Sequence, residues 1–237
     1  MFGFFGSGSG TPKSVLRQNL ESVFLAIFLA LCVRAFIVQP FKIPSSSMEP
    51  TLLVGDYIIV KKFAYGTRIP FTDKTVFQGS EIKKGDIVVF KKPQGPSKTK
   101  KTYFIKRVVA TGNDVVRIQG RNIYINQLRI PQSYVGRYDV APMEEYIQKF
   151  GDKDITVIYE KQRYSTHKGD IIYPFTVPAG HVFLMGDNRD NSRDSRFWGT
   201  IAEKDIVGKA VTVHWSWKFQ NSFIPEIRWE RIFSEIE

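Results

Sequence analysis

Three stretches of this 237-residue sequence carry side chains that could do chemistry together. The first is Pro44-Ser45-Ser46-Ser47-Met48-Glu49-Pro50-Thr51-Leu52, three consecutive serines between two prolines. Proline lacks an N–H and biases the residue before it to extended backbone, so this run makes a poor helix and a poor strand. It reads as an exposed, stiff turn able to present a serine. Ser46 and Glu49 also have the spacing of a capping box, the ordinary alternative, but Pro50 falls where an intrahelical N–H is needed.

The second stretch is Tyr103-Phe104-Ile105-Lys106-Arg107-Val108-Val109-Ala110. Strand alternation places Phe104, Lys106, Val108 and Ala110 on one face and turns Arg107 to the other. A lysine in an apolar row is desolvated, its pKa falls, and the neutral amine can then serve as a general base near neutral pH. The plain alternative is a strand lysine that snorkels to water. The third stretch, Gly186 to Gly199, alternates three aspartates with three arginines. That pattern predicts local ion pairing in a rigid irregular loop, with Ser and Asp side chains free to orient a neighbour. A calcium loop begun at Asp190 fails, since Ser195 stands where its glycine belongs and Ile201 where its closing glutamate belongs.

Other templates do not match. His167, His181 and His214 have no metal-ligand spacing, and neither a Gly-x-Ser-x-Gly elbow nor a phosphate-binding loop occurs. The single cysteine, Cys32, excludes an intrachain disulfide and a cysteine-rich zinc site. No cofactor or metal is called for. A serine, a candidate buried lysine and no motif histidine make a Ser-Lys dyad the economical enzyme hypothesis, although a Ser-His-Asp triad stays open on sequence grounds.

These stretches need elements to position them. Residues 1–18 begin with a Gly/Ser-rich leader, and residues 19–38 form an apolar run with Glu21 and Arg34 near its ends, about the length a bilayer core requires. A cleaved signal peptide and a buried core helix are the competing readings of that run. Downstream, short β-branched or aromatic runs recur: Tyr57–Val60, Asp86–Phe90, Tyr103–Val109, Asp114–Ile118, Asn122–Ile125, Ile155–Tyr159, Val182–Met185 and Val207–Val213. No βαβ alternation appears, so the fold class is mainly β: an N-terminal transmembrane helix followed by a two-part antiparallel β-sheet region. Residues 39–125 and 173–237 form the main domain, with 126–172 an inserted subdomain holding a short helix near Glu144–Phe150. A loose helical period after Pro225 predicts a short closing helix.

The net charge of +11 predicts an anionic partner, either nucleic acid or a membrane face. The basic loop Lys91–Lys101 could supply the contact or be merely solvated. The cluster His214-Trp215-Ser216-Trp217-Lys218-Phe219 is either core or a surface for the membrane interface. A membrane-tethered β-domain that binds an anionic partner is thus the non-enzyme rival to the dyad.

Four boxes, in order, carry a resemblance: Phe41 to Leu52, Gly85-Asp86-Ile87-Val88-Val89-Phe90, Phe104-Ile105-Lys106-Arg107-Val108-Val109, and Gly186 to Arg196. Behind an apolar segment, this order is similar to that of the bacterial signal peptidase I family. The resemblance implies a membrane-anchored Ser-Lys endopeptidase that removes N-terminal signal peptides from exported preproteins after small residues, of Ala-x-Ala type. It further implies a single-pass protein of the cytoplasmic membrane, with the catalytic domain on the extracytoplasmic side and residues 126–172 as a cap. Its partners would be preproteins and the phospholipid membrane, not nucleic acid.

Carried over by motif position, the family's nucleophile falls on Ser47 and its general base on Lys106. Ser45 matches the side-chain donor of the oxyanion hole, Ser192 the serine that hydrogen-bonds the base, and Asp194 with Arg196 an ion pair supporting the loop. Phe41, Ile43, Pro44, Met48, Leu52 and Ile105 fall where the family lines two shallow substrate pockets. The chain departs from the family at Ser46, more commonly glycine there, and at Ala110-Thr111-Gly112-Asn113-Asp114.

Overall fold

A computed structural model of the chain describes residues 15–36, 38–68, 75–77, 79–91, 102–138, 142–161, 170–218 and 225–236. The chain divides into two units, Met1–Ile37 and Val38–Glu237. The first contains the 22-residue helix α1 (Val15–Phe36). Arg17 and Gln18 lie within this helix, and Val38 opens a strand. The described side chains, from residue 18 to residue 29, are all exposed. Among the described residues no helix is long and apolar enough to cross a membrane. Residues 1–14 of the leader lie outside the described residues, as does nearly all of the basic loop.

The second unit is built from antiparallel strands. In chain order they are β1 (Val38–Lys42), β2 (Asp56–Lys61), β3 (Thr67–Arg68), β4 (Thr75–Phe77), β5 (Ile87–Lys91) and β6 (Tyr103–Thr111). There follow β7 (Val115–Gln119), β8 (Asn122–Ile125), β9 (Leu128–Arg129), β10 (Gln132–Tyr138), β11 (Met143–Phe150) and β12 (Lys153–Glu160). The chain continues with β13 (Ile171–Thr176), β14 (His181–Met185), the short helix α2 (Ser195–Trp198), β15 (Ile201–Ala202), β16 (Ile206–Lys218) and β17 (Glu226–Ile227). Each of the eight runs expected from β-branched and aromatic content is a strand within a few residues of its expected bounds.

The main sheet has the order β1-β2-β16-β5-β6-β14-β15, with β17 added to β16. Among the described residues β1 pairs only with β2, and proline is tolerated on such an edge strand. β16 pairs with both β2 and β5, which makes it the central strand of that half. β7 and β8 form the expected hairpin, with Gln119 opposite Asn122 and Gly120 at φ 56° in the tight turn. They join β13 and β9 in a second sheet, and β10-β11-β12 form a third.

Two expectations fail for the same physical reason. Glu144–Phe150 is not a helix but strand β11, paired along its length with β10 and β12. The residues after Pro225 form β17 and a single 3-10 turn at Trp229–Arg231 instead of a closing helix. In both places long-range pairing outweighs local helix preference, which amounts to only a few tenths of a kcal/mol per residue. Near the C terminus the pull is specific. Asp56, wholly buried, accepts from Arg231 Nη2 at 2.6 Å, Arg228 Nη2 at 3.2 Å and Ser216 Oγ at 2.6 Å. Phe233 N–H donates to Val213 and Val213 N–H to Ser234, so the segment lies against β16.

Three apolar clusters support the sheets. One, under the turn that carries the serines, contains Ile43, Met48, Leu52, Ile58, Val60, Ile87, Val89, Ala210 and Val213. Burying such side chains contributes roughly 1.5–3 kcal/mol each. The serine turn is therefore nailed down by the hydrophobic residues on either side of it. A second cluster lies between β5, β6 and β14, and a third joins β7 and β8 to β12 and β14.

Candidate active site

The serine turn folds as one 3-10 turn, Ser46–Met48. Ser45 stands at its N-cap in extended backbone and makes no side-chain cap, so the capping-box alternative does not form. Met48 and Leu52, wholly buried, pull the backbone down and leave Ser45 exposed and Ser47 partly so. Ser45 Oγ lies 3.4 Å from Ser47 Oγ.

Lys106 arrives from the middle of β6, opposite Val88 of β5. It is 4 % exposed, and its Nζ donates to Ser47 Oγ at 2.6 Å and to the Ile105 carbonyl at 2.9 Å. Burial lowers its pKa from 10.5 to about 8; the charges of Asp194 and Asp187 oppose that shift, and Arg196 adds to it. Desolvation wins because a buried ammonium with no carboxylate in direct contact lacks the compensation of an ion pair. Its neighbour Arg107 is equally buried, held by Asp187 through Nε to Oδ1 and Nη2 to Oδ2, both at 2.8 Å. Arg107 Nη1 also donates to the Gly85 carbonyl at 2.8 Å, and Thr51 Oγ1 donates to Asp187 Oδ2 at 2.6 Å. Thus one bidentate pair ties β6, the serine turn and the loop after β14 into one body.

That loop pairs its charges differently from the expectation. Asp194 is paired with an arginine of the loop: Arg196 donates to it through Nε and Nη2, both at 2.8 Å. Asp187 reaches across to Arg107, and Asp190 accepts from the Glu160 N–H at 2.9 Å. Arg189 is buried, and its guanidinium nitrogens have no hydrogen-bond partner among the described residues. Alternation in sequence did not become alternation in pairing because tertiary contacts offered Asp187 a partner already shielded from water. Burial pushes the Asp194 carboxyl up, but the Arg196 bonds and charge, the Gly186 N–H and the Ser192 hydroxyl outweigh it and hold the carboxyl below its ordinary value. Asp194 also caps α2 by accepting from the Arg196 N–H.

Ser192 is buried against Gly186, and its Oγ meets no partner in full hydrogen-bond geometry. Lys106 bonds Ser47 and Ile105 rather than Ser192. Of the six residues at pocket positions, Phe41 and Ile105 are partly exposed and Pro44 is exposed, with Phe41 packed edge-on against Tyr103. Ile43, Met48 and Leu52 are buried beneath them and form a floor rather than a contact surface.

Sequence reasoning passed over the residues that hold the turn to the loop. Asn188 N–H donates to the Ser47 carbonyl at 3.3 Å, Asn188 Nδ2 to the Ser46 carbonyl at 3.2 Å, and Asn191 Nδ2 to Ser46 Oγ at 3.0 Å. Their types carried a signal only in hindsight, since asparagine in a polar loop is ordinarily a turn former. Gly186 was a second such position. A Cβ there would collide with the Ser47 carbonyl and the Ser192 hydroxyl, so the loop can approach the turn only through glycine. Gly186→Ala is expected to destabilise the fold by about 1–3 kcal/mol. Denaturant melts check this; an unchanged midpoint would show that the approach is not tight.

Comparison with known proteins adds a family to this geometry. The family described as "Signal peptidase, peptidase S26" matches residues 16–215. A signal peptidase I of Pseudomonas fluorescens is 40% identical over 218 residues, covering 86% of this chain and 74% of that protein. One from Pseudomonas aeruginosa is 39% identical over the same length, and one from Aquifex aeolicus is 33% identical over 243 residues, or 89% of this chain and 88% of that protein. A solved signal peptidase I from Enterococcus faecalis aligns with a TM-score of 0.32 at 22% identity, over 55% of this chain and 97% of that one.

Proposed function

Since the chain belongs to the signal peptidase, peptidase S26, family and is a serine peptidase of that kind, we propose that Ser47 is its nucleophile and Lys106 its general base. The observation that carries this is the 2.6 Å contact between Lys106 Nζ and Ser47 Oγ at a lysine whose burial lowers its pKa to about 8. In the neutral form, Nζ takes the hydroxyl proton as Oγ attacks the scissile carbonyl. The Ser45 hydroxyl and the Ser47 N–H donate to the oxyanion that forms. Lys106 then returns its proton to the departing amine, leaving an acyl-enzyme. A water that gives its proton to the same nitrogen hydrolyses that ester. In this reading Asp194 and Arg196 hold the loop beside the lysine.

The substrates in this reading are preproteins with N-terminal signal peptides. Phe41, Pro44 and Ile105 rim the site over a floor of Ile43, Met48 and Leu52, an apolar shape suited to small side chains and hence to Ala-x-Ala cleavage. Residues 19–38 serve as the membrane anchor, with the catalytic region on the extracytoplasmic side and residues 126–172 as the cap. Trp229, 69% exposed and edge-on to Trp215, gives the region an aromatic surface of the kind membrane interfaces favour.

The test is a pH profile of kcat/KM on a preprotein with an Ala-x-Ala site, with Ser47→Ala beside it. Because the base must be neutral, the rate should rise about tenfold per pH unit up to about 8 and level off above it. Ser47→Ala should show no cleavage. Retained cleavage by that variant, or a profile flat from pH 6 to 9, would remove the dyad.

A further inference from the structure

Ser46 lies in the middle of the serine turn, and the structure gives its hydroxyl a partner. Ser46 Oγ accepts from Asn191 Nδ2 at 3.0 Å, while its carbonyl accepts from Asn188 Nδ2 at 3.2 Å. One residue on, the Ser47 carbonyl accepts from the Asn188 N–H. Three hydrogen bonds from one loop therefore grip two consecutive residues of the turn. Two of them reach backbone atoms and would survive any substitution at Ser46. The third depends on the Ser46 side chain.

We infer that Ser46 is a positioning residue, whose hydroxyl, held by Asn191, fixes the rotation of the turn that aims Ser47 Oγ at Lys106. The inference builds on the reading of Ser47 as nucleophile. The physical case is one of leverage. The turn is a single 3-10 turn with no side-chain cap, so its N-terminal end has little restraint of its own. Below it, Met48 and Leu52 fix the C-terminal end by burial. Ser45, on the open side, is exposed, and among the described residues its hydroxyl is in hydrogen-bond range of Ser47 Oγ alone. Ser46 stands between the anchored and the free parts. A hydrogen bond there stops rocking of the turn, and a displacement of about 1 Å at a reacting atom is enough to cost roughly 10²-fold in rate. The loop that supplies Asn191 is itself rigid, because Asp187 is locked to Arg107 and Asp194 to Arg196. The lysine and the serine are thereby referred to the same frame, the lysine through the strand that carries Arg107 and the serine through Asn191.

One net hydrogen bond corresponds to a factor of roughly 2–10, which sets the scale of the test. Ser46→Ala, Asn191→Ala and the double variant are compared on the same preprotein, with Ser47→Ala as reference. Ser46→Ala and Asn191→Ala should each lower kcat by about three- to tenfold with KM within about twofold. The double variant should be no slower than the slower single one, since both remove one bond. Ser46→Thr, which keeps the hydroxyl, should recover most of the rate. The ascending limb of the pH profile should still level off near 8 in all of them, because the burial of Lys106 is untouched. Multiplying losses in the double variant, a change in KM alone, or a lower melting temperature with unchanged kcat would each overturn the inference. If Ser47→Ala itself cleaves, the nucleophile reading fails. If Ser47→Ala is inert and Ser46→Ala cleaves at the full rate, only the positioning role fails.

Discussion

Lys106→Met is expected to lower preprotein cleavage by roughly 10²–10⁴-fold, the span general bases ordinarily contribute, and to make the protein more stable at neutral pH. The second half follows from the pKa. Folding lowers the lysine from 10.5 to about 8, so between those values the unfolded chain binds more protons than the folded one. Stability therefore rises with pH through that window, and the cost of burying the lysine is fully present below about 8. At about 1.4 kcal/mol per pH unit that cost is on the order of 3 kcal/mol. Methionine escapes it but forfeits the bonds to Ser47 Oγ and the Ile105 carbonyl, each worth about 1 kcal/mol. The net gain should be about 1–2 kcal/mol at pH 7, and it should disappear or reverse by pH 10.5. Urea melts at the two pH values read it directly. A variant less stable than the parent at pH 7 would mean that the lysine is hydrated or paired in solution.

Breaking the Arg107–Asp187 pair should do the opposite. Arg107→Met leaves a carboxylate with no exposed surface facing only the Thr51 hydroxyl, and an uncompensated buried charge costs about 3–5 kcal/mol. Asp187→Leu strands the guanidinium, which keeps only its bonds to Gly85 and Thr51. The double variant Arg107→Met/Asp187→Leu removes both charges and should regain much of the loss, since apolar groups of similar volume replace buried pairs at little cost. Cleavage separates the roles of this pair. Stability should recover in the double variant, while activity stays low, because the tie from β6 to the loop and the serine turn is gone. If activity recovers along with stability, the pair is packing alone.

How much of this was legible in the residues differs from element to element. The eight expected strands followed from short β-branched or aromatic runs between turn signals, a pattern that acts locally. The Gly120 hairpin followed from turn chemistry in the same way. The helix expected at Glu144–Phe150 did not form, because β10 and β12 supply ladders that no local window contains. The same holds for the C-terminal segment, drawn to Asp56 through Arg228 and Arg231. For the candidate site, alternation put Lys106 among apolar neighbours, and the structure finds it 4 % exposed. It could not say that Arg107 is buried as well, since that needs the carboxylate of Asp187, eighty positions away.

The amino-acid sequence by itself determined the strand-rich class, the family, and the residue types available for chemistry: a proline-bounded run of serines, a lysine in an apolar strand and a polar loop. These are properties of local pattern and of motif order, which need no contact between distant parts. Only the tertiary structure decided that Ser47 and Lys106 stand 2.6 Å apart, that Asp187 leaves its neighbouring arginines for Arg107, and that Asn188 and Asn191 grip the serine turn. Those are distances between residues far apart in the chain. They are set by which strands pair, where glycine permits close approach, and how buried charges find partners out of reach of water.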